Sequence, residues 1–194
     1  DGAFADTNIE SIDLNNVEFI GQGAFLNCNN LLKPQIDDEQ IKVVAKDAFT
    51  NSHWINFSEE DYIVWGDILI KYKGQDTNVV LDSKIRLIAD YVFADSQIIS
   101  ISSDSESSID VGNYAFADSY LTTVNFKVKN VGHYAFANTN IEKLDLRNTI
   151  IMGSNIIDNC YNLKDLLISF DSYLNFNAVT KGSTCCNYYG SNGY

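Results

Sequence analysis

The side chains best equipped for chemistry are Cys28, Cys160, Cys185 and Cys186, with His53 and His133. Cysteines at suitable spacing form disulfides or hold zinc, and histidines join them as ligands or act as bases. The spacing here favours neither use. His53 and His133 have no Cys or acidic partner at ligand spacing, so no metal site and no cofactor is expected. G-x-S-x-G, H-E-x-x-H, a P-loop and a nucleotide fingerprint are all missing, and no carboxylate pair is marked as general acid and base. The acidic, Ser-rich run Ser102 to Ser108 reads as a solvated loop, and Asn56-Phe57-Ser58 fits a glycosylation sequon. No catalytic residue is assigned, and a non-enzyme is expected.

The elements that carry these residues repeat. The phrases Gly21-Gln22-Gly23-Ala24-Phe25, Ala45-Lys46-Asp47-Ala48-Phe49, Ala89-Asp90-Tyr91-Val92-Phe93, Gly112-Asn113-Tyr114-Ala115-Phe116 and Gly132-His133-Tyr134-Ala135-Phe136 return at intervals of 20–24 residues or a multiple. Gly153 to Ile157 is a further copy with Ile in the Phe slot, and Ala3-Phe4 ends a truncated one. Self-similarity of this period denotes a solenoid. Four residues before the Phe stands Gly or Ala, and five before it an apolar residue. After the Phe comes a polar turn, then apolar positions at +5, +8 and +10: Ile9, Ile12, Leu14; Leu121, Val124, Phe126; Ile141, Leu144, Leu146. The last two lie two apart, as in a strand with one buried face. No copy buries its apolar face alone, so the copies must stack.

The alignment reassigns two cysteines. Cys28 and Cys160 both fall at +3, where other copies carry Thr7, Ser52, Ser96, Ser119 and Thr139. They read as small core fillers. Five or six coils apart, they stand roughly 24–29 Å from each other, beyond the ~7 Å Cα limit for a disulfide. Cys185-Cys186 lies past the last repeat.

This grammar resembles the BspA-like leucine-rich repeat family. Phe25-Leu26-Asn27-Cys28-Asn29-Asn30-Leu31 and Ile157-Asp158-Asn159-Cys160-Tyr161-Asn162-Leu163 match the family's turn closely. The resemblance implies a leucine-rich-repeat-like right-handed solenoid, β-rich, with short parallel strands and short helical or 3-10 turns. It covers 1–168 in about seven coils; 169–194 is expected to be a C-terminal cap and loose tail, with Tyr173 to Phe176 covering the last coil. Pro34, Glu59 and Ser103 occupy slots usually apolar, so irregular coils are expected there. Between Phe49 and Phe93 the phrase lapses for 44 residues, and an irregular, hairpin-like coil is expected at 60–84. Two strands should flank Gly66-Asp67 and a third should fall at Val79 to Leu81, with Trp65 and Tyr72 buried.

The chain has 194 residues, 45% hydrophobic, with a net charge of −13. Such a charge disfavours nucleic acid and anionic lipid and favours solubility. No stretch has the ~20 apolar residues of a membrane span. The chain opens inside a repeat, as expected of a fragment of a longer polypeptide or a mature form. A broad surface is expected where residues between the apolar strand positions face outward. The candidate binding residues there are Ile55, Asn56, Ser58, Ile99, Ser100, Ser102, Thr122, Thr123, Asn125 and Lys143. Ile55 and Ile99 amid hydroxyls suit a protein partner. The resemblance implies a monomeric, secreted or cell-surface adhesion module that recognises a host or neighbouring-cell surface protein. A structural spacer and a glycan-binding module are the alternatives.

Overall fold

The structure is a computed structural model that describes residues 1–36, 40–104, 106–169 and the backbone of 187–190. The expected cap at Tyr173 to Phe176 and the pair Cys185-Cys186 lie outside the described residues. The chain is a solenoid of parallel strands with very little helix. One six-stranded sheet holds β3 (Tyr62–Trp65), β4 (Ile68–Tyr72), β6 (Leu87–Ile88), β8 (Ile109–Val111), β10 (Val128–Val131) and β12 (Ile151–Met152). The other holds β5 (Asn78–Leu81), β7 (Ser100–Ser103), β9 (Thr123–Asn125), β11 (Lys143–Leu146), β13 (Asp165–Ile168) and β14 (Asn187–Gly190). The N-terminal coils contribute a two-stranded pair, β1 (Phe19–Ile20) with β2 (Val43–Val44), and an isolated bridge from Asp13 to Gln35.

The third side of each coil is the Phe turn. Its backbone pairs from coil to coil, as where the Phe93 N–H donates to the Ala115 carbonyl (2.8 Å) and the Phe116 N–H to that of Ala135 (2.8 Å). The rings of Phe4, Phe25 and Phe49 stack at 5.3 and 5.2 Å, and those of Phe93, Phe116 and Phe136 at 5.3 and 5.2 Å. Burying one such ring is worth about 1.5–3 kcal/mol, and each aromatic pair adds ~0.5–1.5 kcal/mol. The residues two before and two after the Phe take left-handed backbone, for instance Tyr114 (φ 53°) and Asp118 (φ 60°) around Phe116. Bulky residues rarely adopt it. Tyr91, Tyr114 and Tyr134 do so in a stacked row, with ring centres 4.8 and 4.9 Å apart.

The +3 slot behaves as one chemical position. Ser96, Ser119 and Thr139 donate to the carbonyls of Phe93 (2.7 Å), Phe116 (2.6 Å) and Phe136 (2.8 Å). Cys28 and Cys160 donate likewise, each to the Phe of the preceding coil: Phe4 and Phe136, both at 3.0 Å. Both cysteines are buried.

The lapse between Phe49 and Phe93 is filled by the antiparallel hairpin β3–β4, which turns at Gly66-Asp67. Trp65 is buried, packs edge-on against Phe49 (5.3 Å) and donates its indole N–H to the Pro34 carbonyl (2.9 Å). The half-buried Tyr72 ring reaches Phe93 at 5.1 Å. The hairpin thus adds an aromatic ring against the Phe turn on either side of the gap, Trp65 on Phe49 and Tyr72 on Phe93. Arg86 clamps it, with Nε 2.7 Å from Asp67 Oδ2 and a further bond to the Ile41 carbonyl (3.1 Å).

Of the coils expected to be irregular, that of Glu59 is so and that of Ser103 is not. At Glu59 the strand is replaced by the helix α1 (His53–Phe57), capped by the Ser52 hydroxyl, which accepts from the Ile55 N–H (3.3 Å). Lys73 donates to the carbonyls of Ile55 (2.6 Å) and Ser58 (2.9 Å) at its other end. The coil of Ser103 is instead regular, since β7 pairs with β5 over all four residues. A polar residue at the end of a strand costs little there because Ser103 is only half-buried. Within the stretch expected to be loose, the backbone of Asn187–Gly190 pairs in register with β13, whose parallel edge takes a further strand.

Candidate functional site

The outward side chains of the second sheet form rows. Asn78, Ser100, Thr123, Lys143 and Asp165 are consecutive register partners from β5 to β13. Val80, Ser102 and Asn125 make a second row. Ile99 lies at the edge of this face and is 44% exposed. Ser100, Ser102, Thr122, Thr123, Asn125 and Lys143 are therefore gathered on one surface.

Ile55, Asn56 and Ser58 are not part of it. Ile55 is only 4% exposed and belongs to the core. The Ser52 cap starts a helical turn where a strand was expected, and that turn points Ile55 inward. Asn56 is exposed on the helix, and Ser58 closes it, its N–H donating to the Trp54 carbonyl (3.1 Å).

The face is not even. β5 and β7 share four register pairs, β7 and β9 three, and β11 and β13 four, but β9 and β11 share only Thr123 with Lys143. The cause is repeat length. Phe116 and Phe136 are 20 residues apart, the shortest interval between Phe phrases. The chain is short after β9: only residues 126–127 link β9 to β10, whereas 104–108 link β7 to β8. β9 must turn toward the other sheet early, and its end parts from β11.

A cleft of about 1050 Å³ opens at this split. Thr122, Thr123, Asn125 and Lys143 line it, with Ser103, Asp104 and Glu106 on one side and Glu142 and Asp145 on the other. Val124 and Phe126 are also in its lining, half-buried, while the equivalent Leu144 and Leu146 of the next coil are buried. Both had been read as core. The 20-residue interval was the signal that could have revealed them.

Most of the charges lining the cleft are tied to neighbours. Lys127 lies 3.5 Å from Glu106, Lys164 lies 3.0 Å from Glu142, and Arg147 lies 2.6 Å from Asp145. The Arg147 side chain holds the Asp145 carboxyl below the usual carboxylate range, helped by the Arg147 N–H and by Lys143. Such an arrangement presents hydroxyls, an amide, an ammonium and a patch of apolar floor.

The other chemical candidates are structural. His133 Nδ1 accepts from the Ser154 N–H (2.9 Å), and the His53 ring packs on Phe57 (4.4 Å). Asp90 accepts from the Asn113 N–H (2.7 Å) and side chain (3.1 Å), while burial pushes its carboxyl up. Among the described residues no group of three or more His, Cys, Asp or Glu is placed to hold a metal ion. No helix among them is long and apolar enough to cross a membrane.

Comparison with known proteins agrees with this architecture. The family description "BspA type Leucine rich repeat region" matches six copies, over residues 1–64 and 70–178. The solved structure of the pneumococcal vaccine antigen PcpA is similar at a TM-score of 0.55 and 18% identity, over 99% of this chain and 60% of that one. A leucine rich cell surface protein from Faecalibacterium prausnitzii A2-165 is similar at 0.52 and 18% identity, over 94% of this chain and 60% of that one. At that identity the likeness shows the fold, and the chain spans about 60% of the length of either structure. No curated protein matches it. With six copies of the repeat over most of its length, the chain belongs to the BspA-type leucine-rich-repeat family.

Proposed function

We propose that this chain is a non-catalytic protein-binding module of a secreted or cell-surface protein, engaging its partner through the face of the second sheet. The observation that carries this reading is the cleft where β9 and β11 part, which gathers Thr122, Thr123, Asn125 and Lys143 over an apolar floor. A polar rim around partly exposed apolar residues is the composition of a protein interface. Exposed Val80 and Ile99 extend the surface toward β5. Membership of the repeat family and the likeness to a vaccine antigen and to a leucine rich cell surface protein support a surface or secreted setting. Adhesion to a host or neighbouring-cell surface protein is the form of binding proposed.

The test is binding of the labelled chain to an array of purified extracellular proteins, in parallel with a Thr123→Arg/Lys143→Glu double variant. Both positions are exposed, so the fold should survive. The expected result is at least one partner whose affinity falls about tenfold or more in the variant, as for central interface residues. An array without partners, or partners indifferent to the variant, would overturn the proposal. A spacer is the second reading, favoured by the continuous buried core of the stacked coils; it predicts that empty array.

A further inference from the structure

The split between β9 and β11 leaves more than a cavity. In a parallel ladder each strand directs alternate backbone groups to its two neighbours. Past Thr123 and Lys143 no register pair joins the two strands, although β9 stays paired to β7 through Asn125, and β11 to β13 through Leu146. Beyond that pair, the backbone groups that β9 directs away from β7, from Val124 onward, therefore lack the strand that its other edge has. Backbone N–H and C=O groups are obligatory hydrogen-bonding groups, and a free edge is a template for another strand. The half-exposed Val124 and Phe126 lie along this edge.

We infer that the cleft takes a short extended polypeptide segment of the partner, which pairs with the free edge of β9 at the open end of the split. This rests on the reading of the face as a protein-binding surface and names how the partner is held. Strand addition draws affinity from backbone hydrogen bonds and selectivity from alternate side chains. The side chains on one face of the segment would be apolar and rest on Val124 and Phe126. Those on the other would meet the rim, where Asp104, Glu106, Glu142 and Asp145 stand beside Lys127 and Lys143, with Lys164 and Arg147 paired to Glu142 and Asp145. That mixed rim selects polar or charged side chains at the outward positions of the segment. A polypeptide is favoured because only it offers a repeating row of donors and acceptors that matches a strand edge.

The test uses the full chain and an arrayed set of heptapeptides with Val, Ile, Leu or Phe at alternate positions and Thr, Lys or Arg between them. The best binder is then compared by fluorescence polarisation with its singly N-methylated forms, and hydrogen exchange is followed on the complex. We expect methylation at alternate amides to weaken binding roughly tenfold and at the intervening amides to change it little. Amides of residues 124–126 should gain protection. The inference is overturned if no peptide binds more tightly than ~1 mM. A methylation effect without alternation, or protection mapped elsewhere, also overturns it. If folded partners on the protein array still respond to Thr123→Arg/Lys143→Glu, the binding reading stands and only the strand mode fails; if neither responds, both fall.

Discussion

Gly132 shows at a single residue why the repeat keeps its small slot. A Cβ built there would stand 2.5 Å from the Asn113 nitrogen and 2.6 Å from the Gly112 carbonyl carbon, both backbone atoms of the neighbouring coil. Coil spacing is fixed by backbone pairing on three sides, so that neighbour cannot yield cheaply. Gly132→Ala should cost about 1–3 kcal/mol, the usual penalty for overpacking, measured by denaturant unfolding; unchanged stability would contradict the contact. Two carboxylates offer a second check. Asp90 has its folded pKa raised by burial, so its ionised form opposes folding. Its stabilising contribution is full below the ordinary carboxylate value of ~4 and is lost as pH rises through the folded pKa. Asp145 is the reverse: Arg147 depresses its pKa, so its contribution holds above ~4 and is lost as pH falls through the folded value. Carboxyl NMR titration should place the Asp90 midpoint above that of Asp145, and coincident midpoints would refute both environments.

Among the elements, the connection from β9 to β10 decides whether the cleft exists. Inserting Gly-Asn after Phe126 would give β9 the length to continue beside β11. The expected outcome is a closed split: slower exchange of amides 144–146 and about tenfold weaker partner binding, read by exchange and by the array. Unchanged exchange would show that loop length is not the cause. The hairpin β3–β4 is the second decisive element, because its buried Trp65 packs on Phe49 while its Tyr72 packs on Phe93. Trp65→Ala should cost about 3–5 kcal/mol, and since repeats couple mainly to their neighbours unfolding should separate into two transitions by calorimetry. How far these elements could be read from sequence depends on how local their causes are. The Cys28 and Cys160 slot was legible because each copy puts a small, weakly polar side chain at that position of the turn. The hairpin was legible because Gly66-Asp67 lies between apolar runs. Ile55 was misplaced because a Ser52 cap, a local signal, overrode the strand period. Val124 and Phe126 looked like core because their burial depends on whether β9 reaches β11, a relation between coils that residue type does not encode.

At the scale of the whole molecule, the chain is a stack of coils, two sheets and a ladder of turns around one buried core, and among the described strands the second sheet parts where β9 leaves β11. The net charge of −13 favours a partner segment carrying positive charge, and salt should weaken that contact by screening. The repeat gives the molecule its stacked rows of outward side chains, and the short repeat gives them the cleft proposed as the binding place. Native-state hydrogen exchange of the free chain tests this most directly. Among amides 124–126 and 144–146, those facing the split should exchange about tenfold or more faster than the paired amides of Ile101–Ser103 and Leu166–Ile168, because local opening tracks missing ladder partners. Uniform protection across β7, β9, β11 and β13 would contradict the account.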